Sequence, residues 1–394
     1  MFLLCFTDAR LMKKSSSHLK SLSTPSVVEF NCNFINGAYL EVAGSTQDRY
    51  QVQFQDLDEP DYVMQSDISA GGWVRSPQSY FVRWSIHVFR ISDNKLVYEH
   101  HYDCEGRRVY IAFESSSLGD TLAWFPAVEQ FRKQHNCHVI CSTFLNGLFK
   151  DSYPEIEFIE PGENADDLYA MYRIGFFYRE DGSYDYSKNY SEFREHPIAK
   201  TAYDILGLPY LELKTKIKAK DLPCPLDKPY VCIGFHATSQ AKYWNNPKGW
   251  SEVLRFLNYK GYKVVLLSRE GKEYMGNRVP QGIKLVPEIS LDIIVNYLRH
   301  ARMFIGIGSG LSWLSWAVGC RTCLISGFSY PYTEMQDCIR VFPLDDVCSG
   351  CFNRFRLDPN DWDWCPDHKD TPRMFECTRH ISGRQVIEAI APYL

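Results

Sequence analysis

The chain has 394 residues, 45% of them hydrophobic and 15% aromatic, which suits two or three packed domains and excludes a disordered polymer. A formal charge of -5 leaves no basic footprint, and no apolar run reaches the roughly eighteen residues needed to span a bilayer. Neither nucleic acid nor a membrane is therefore expected as a partner.

Residues 1–25 are polar and rich in Ser and Lys, and read as a flexible tail. Their start, MFLLCF, is short and is followed rather than preceded by charge, the wrong order for a secretory signal. From 26 to 105 the hydrophobic period is two. In FVRWSIHVFRI, Val82, Trp84, Ile86 and Val88 alternate with Arg83, Ser85 and His87. With YLEVAG, RYQVQFQD and KLVYEHHYD, this predicts a small antiparallel, β-barrel-like domain for recognition or assembly.

The pattern changes near Arg107. The apolar run RRVYIAF, the turn ESSSLGD, the helical TLAWFPAVEQFRKQHN and a second strand, CHVICSTF, make a βαβ unit. They open an N-terminal Rossmann-like domain over 106–222, with a helix in IAKTAYDILGL that stops at Gly207 and linker composition at Lys214–Pro229. A second Rossmann-like domain spans 223–346, with strands YVCIGF, YKVVLLSRE, MFIGIG and TCLISG separated by helices. Two such series place a cleft between their carboxyl-end faces. The fold class is thus α/β.

In that frame three loops carry chemistry. Gly306-Ile307-Gly308-Ser309-Gly310-Leu311 follows a buried strand and opens a helix, a place for a pyrophosphate, or else a glycine turn kept for tight packing. It is neither the G-x-G-x-x-G fingerprint nor a Walker A loop. The polar loop His236–Gly249 carries Lys242, able to neutralise a phosphate, while His236 reads equally as a satisfied buried histidine. Asp120 closes ESSSLGD, either as a helix-start partner or as a general base facing the cleft.

The last feature is C-x2-C-x13-C-x11-C, made of Cys348, Cys351, Cys365 and Cys377 in a turn-rich loop over 347–380. Four thiolates can close a tetrahedron around a metal, and a closed site leaves no place for substrate. It reads as a staple, expected to lie away from the pyrophosphate loop, with a closing helix at 381–394. The other ten of the 14 cysteines sit in varied, often apolar runs and read as buried thiols of a reducing cytosol.

Together SSSLGDTLAW, HATSQAKYWNNPKGW, FIGIGSGLSWLSWAVG and VCSGCF…WCPDH…ECTRH resemble the bacterial autotransporter heptosyltransferase family, relatives of the lipopolysaccharide heptosyltransferases, over roughly residues 27–394. The resemblance implies a GT-B fold of two Rossmann-like domains preceded by a small antiparallel β-domain. It implies inverting transfer of heptose from ADP-heptose to serine hydroxyls of an autotransporter adhesin passenger domain, in the cytoplasm. It makes Asp120 the catalytic base. Ser117, Leu118 and Gly119 would line the cleft, His236, Thr238 and Lys242 would face the donor phosphates, and Gly308, Ser309, Gly310 and Leu311 would meet the nucleotide diphosphate. It also implies one structural metal per subunit on the four cysteines, iron in the family although sulfur chemistry admits zinc, and a ring-shaped homo-oligomer, a dodecamer.

Other readings compete with this one. A lipopolysaccharide core heptosyltransferase would lack the β-domain and the four-cysteine loop. A rubredoxin-like electron carrier would normally show two C-x-x-C pairs. A non-catalytic nucleotide-sugar-binding or zinc-ribbon module remains a third class.

Overall fold

RVYIAF, apolar at nearly every position, forms the strand Arg108–Phe113 inside a seven-stranded sheet. His138–Ser142 and Ala170–Ile174 flank it in parallel, and such doubly covered strands need apolar runs rather than alternation. The crossover between the first two is the helix Leu118–His135, ended by Asn136 in the left-handed conformation. The computed structural model describes residues 28–286, 290–344 and 347–394, so the tail expected at 1–25 lies outside the described residues.

The β-rich N-terminal segment is present, but its strands are divided between two sheets. Glu29–Ile35 pairs in parallel with Ala170–Ile174 and antiparallel with Tyr39–Ala43, which in turn pairs with Trp73–Arg75. These three strands extend the first Rossmann-like sheet. Arg49–Asp56, Val63–Ser69, Trp84–Arg90 and Lys95–His101 form a separate antiparallel sheet. Its outer strands, Val63–Ser69 and Lys95–His101, do not pair, so among the described residues it is an open sheet rather than a barrel. Alternation explains why: Tyr50, Val52 and Phe54, with Trp84, Ile86 and Val88, are buried along one face. That face packs on the Glu29–Ile35 strand, where the Phe30 and Tyr50 rings meet edge to face at 5.4 Å.

The second α/β layer is all parallel. Its order is Lys284–Leu285, Lys263–Leu266, Tyr230–Gly234, Phe304–Ile307, Thr322–Ile325 and Ile339–Val341. Helices Gly249–Tyr259, Leu291–His300 and Gly310–Ala317 cross between its strands. Residues 210–228, which join the two layers, contain neither helix nor strand. The closing helix Gly383–Ile390 starts in a Ser382/Gln385 capping box and packs on Gly249–Tyr259. The two layers meet where helix Leu118–His135 packs on helix Gly310–Ala317.

Candidate active site

Both helices at that junction start at the carboxyl ends of parallel strands, and their first turns abut. A Cβ on Gly310 would stand 2.8 Å from the Leu118 Cβ, and one on Gly119 would stand 3.1 Å from Trp313 Cδ1. Glycine is required there for the approach of two chains. Gly306 has a packing reason as well, because the Phe304 ring would lie 2.3 Å from its Cβ. Gly308 is different: the nearest atom to a Cβ would be Glu334 Oε1 at 3.5 Å, an ordinary contact. The glycine turn thus serves tight packing at two positions and leaves the third open to the cleft.

Ser117 caps helix Leu118–His135, its hydroxyl accepting from the Asp120 amide at 3.4 Å. The capping job is taken, so the Asp120 carboxylate is free to turn to the cleft. It accepts from Ser115 Oγ at 2.7 Å. The residue is half-buried, and desolvation of its carboxyl raises its pKa above the ordinary aspartate value. The Ser115 hydrogen bond and the Lys242 charge oppose the rise. Lys242 answers it. Burial lowers the ammonium's pKa while Asp120 and Glu334 push it back up, and Nζ stands 5.5 Å from the Phe328 ring centre. Each of these opposite charges acts on the other, and Asp120 lies in the first turn of one of the two abutting helices.

Ser309 precedes Gly310 as the helix N-cap residue, yet its hydroxyl makes no cap bond. That buried Oγ has no hydrogen-bond partner among the described residues. Leu311 is half-buried on the same turn and Thr238 is exposed at the cleft loop. His236 is buried with both ring nitrogens occupied, Nδ1 by Tyr243 Oη at 3.1 Å and Nε2 by Gly271 O at 3.2 Å. Of its two readings, the satisfied histidine fits this geometry.

Four residues not singled out from the sequence gather in the same region. Glu334, 6% exposed, accepts from Ser329 Oγ and pairs with Arg340 at 3.0 Å, and Ser326 bonds Ser329 at 3.1 Å. They follow the carboxyl end of strand Thr322–Ile325, the position that α/β sheets give to ligand loops. That positional rule was the available signal.

The four-cysteine loop folds its sulfurs inward. The Cys377 thiol lowers the pKa of Cys348, and Cys351 and Cys365 share a buried cluster with Phe328, Trp364 and Phe375. Four thiols carried on three turns of one loop are the donor type that suits a thiophilic metal. Cys348 also groups with His368 and Glu376, whose ligand atoms lie within 4.8 Å of one another. Glu376 is otherwise engaged: Arg373 holds it at 2.6 Å and the Cys348 amide donates to it at 3.1 Å. Cys348 and His368 remain as donors of that group, with Cys351, Cys365 and Cys377 buried in the same loop. The loop packs against the Lys242 turn and the residues that follow strand Thr322–Ile325. A Cβ on Gly327 would stand 2.6 Å from the Cys377 carbonyl oxygen, and Ala241, beside Lys242, packs inside the cysteine cluster. A segment remote along the chain packs here through Trp364 and Phe375, which share a buried cluster with Ala241 and Phe328.

Residues 198–335 match the model of Glycosyltransferase family 9 (heptosyltransferase). The autotransporter heptosyltransferase BAHTCr of Citrobacter rodentium is 39% identical over 86% of this chain and 83% of its own length. Autotransporter heptosyltransferase TibC of enterotoxigenic Escherichia coli is 38% identical over 86% of this chain and 84% of its own. Its crystal structure, described as an iron-containing dodecameric glycosyltransferase, superposes with a TM-score of 0.85 over 95% of this chain and 97% of that one. TibC has also been crystallised with ADP-D-beta-D-heptose. A further relative, BimC of Burkholderia thailandensis, 32% identical over 86% of this chain and 81% of its own, is described as an inactive autotransporter heptosyltransferase. With a carboxylate, a lysine and an open helix start assembled between two Rossmann-like layers, the chain belongs to the autotransporter heptosyltransferase family and is a glycosyltransferase.

Proposed function

We propose that this enzyme transfers heptose from ADP-heptose to serine hydroxyls of an autotransporter adhesin passenger domain, with inversion and with Asp120 as general base. The observation that carries the proposal is the abutment of the helix starts at Gly119 and Gly310, with Asp120 next to one and the unpartnered Ser309 hydroxyl next to the other. The acceptor hydroxyl gives its proton to the Asp120 carboxylate as its oxygen attacks the anomeric carbon. The bond from that carbon to the diphosphate breaks on the opposite face, and ADP departs with the electron pair. Lys242, the Ser309 hydroxyl and the free amides of helix Gly310–Ala317 take up the charge that develops on it. Thr238 and Leu311 flank the diphosphate, and Ser117, Leu118 and Gly119 border the acceptor side.

Cys348, Cys351, Cys365 and Cys377 would hold one metal ion, iron as in TibC by its description, whose chemistry at four thiolates is to cross-link the loop. A ring-shaped dodecamer and a cytoplasmic site of action, before export of the acceptor, complete the reading. The test is co-expression with the autotransporter acceptor, followed by intact-mass measurement. The proposal expects equal increments of one heptose residue, absent with Asp120→Asn. An unmodified acceptor alongside folded, ADP-binding enzyme would remove the assignment.

A further inference from the structure

Lys242 sits in a three-residue turn, Gln240–Lys242, which is too short to hold a position by its own hydrogen bonds. Its neighbours are fastened, one after another, to the four-cysteine loop and the residues just after it. The Gln240 amide donates to Trp362 O at 3.0 Å. Ala241 is 5% exposed and lies among Cys351, Cys365, Phe328, Trp364 and Phe375. Trp244 Nε1 donates to Ile381 O at 2.8 Å, Asn245 Nδ2 to Thr378 Oγ1 at 2.9 Å, and Asn246 Nδ2 to Arg379 O at 2.8 Å. The Phe328 ring under the lysine ammonium belongs to the cysteine cluster as well.

The anchoring loop is itself made of turns. Between Gly350 and His380 its only regular elements are the single turns Cys351–Arg354 and Glu376–Arg379. It buries a small apolar cluster, so its shape depends on what ties its sulfurs together. We infer that the four-cysteine loop is the positioning element for Lys242: closure of its sulfur site fixes residues 240–246 and thereby sets the affinity of the cleft for a nucleoside diphosphate. This deepens the donor assignment proposed above and rests on it. A lysine on a fixed turn meets a diphosphate without first being ordered, whereas one on a loose turn must lose that freedom on binding.

ADP is the probe, titrated calorimetrically into metal-loaded protein and into the same protein stripped by a chelator under reducing conditions. Both wild type and Lys242→Ala are compared. Stripping should weaken ADP binding about tenfold in wild type and by less than about twofold in Lys242→Ala, the non-additivity expected when one element acts through another. Unchanged affinity of stripped wild type overturns the inference, and so does an equal loss in both backgrounds, which would mean general loosening. Ala241→Leu serves where stripping unfolds the protein, because it wedges the joint and leaves every cysteine and Lys242 in place. Elemental analysis should show retained metal, with weakened ADP binding that disappears in the Lys242→Ala background; unaltered ADP binding counts against the idea. If Lys242→Ala alone binds ADP as tightly as wild type, the phosphate assignment of Lys242 falls and takes this inference with it. If that variant weakens binding while stripping does not, only this inference falls.

Discussion

Gly119 and Gly310 touch backbone to backbone: a Cβ on Gly310 would lie 3.1 Å from the Gly119 amide nitrogen, and one on Gly119 would lie 3.5 Å from the Gly310 Cα. One belongs to each Rossmann-like layer. The contact joins the layers at the point where both helix dipoles present their positive ends.

Gly310→Ala should therefore act through packing. Its Cβ would sit 2.8 Å from the Leu118 Cβ, so the helices must part. A loss of about 1–3 kcal/mol is expected, with weaker ADP binding, measurable by thermal melts and calorimetry. Gly308→Ala meets its nearest atom at 3.5 Å and should leave the melting temperature unchanged while weakening ADP binding. Equal effects on melting would show that the turn is only a packing device.

Asp120→Asn should lower turnover about 10²–10⁴-fold with ADP still bound. Stability should move the other way. The folded pKa of Asp120 is raised, so its contribution is fully present below the unfolded pKa and is lost as pH rises through the folded one. At neutral pH the wild-type carboxylate is a burden that the amide lacks, and the variant should melt higher. A lower melting temperature at pH 7 would contradict this account of the carboxyl's surroundings.

The same shift sets a pH profile. Catalysis needs the carboxylate, so kcat/KM should fall on the acid side with an apparent pKa above the ordinary aspartate range. Ser115 and Lys242 both lower the Asp120 value. Removing either, by Ser115→Ala or Lys242→Met, should move the acid limb to higher pH. An acid limb indifferent to both substitutions would assign it to another group.

Asn353 is a joint of a different kind. Its Nδ2 donates to Arg194 O at 2.8 Å, its Oδ1 accepts from the Tyr330 amide at 2.8 Å, and Thr333 Oγ1 bonds it at 3.1 Å. It ties the first layer to the residues before Glu334. Asn353→Ala should destabilise by about 1–3 kcal/mol, since it strands several polar groups at once. Hydrogen exchange should rise together at 193–198 and 330–335; a rise at only one of them would argue against a shared joint.

Much of this was legible from residue order. Apolar runs such as RVYIAF and YVCIGF announce buried parallel strands, and the glycine turn and Asp120 lie where strand becomes helix. The alternation in 82–88 named Trp84, Ile86 and Val88 as inward correctly, whereas Val82 is half-buried ahead of the strand and Ser85 is fully buried beside His87. The division of the N-terminal strands between two sheets was not legible. Alternation specifies which face is buried but not which strand is the neighbour.

Asp120, Lys242, Ser309 and the four cysteines could be named from the chain because each belongs to a short segment with its own local logic: a helix start, a polar loop after a strand, a ligand spacing. Their common location could not. That Glu334 stands beneath Gly308 and that the cysteine loop packs against the Lys242 turn are contacts between segments far apart in sequence. Sequence periodicity reports a residue's own element. Long-range packing of aromatic and polar side chains decides which elements meet, and only the tertiary structure carries that.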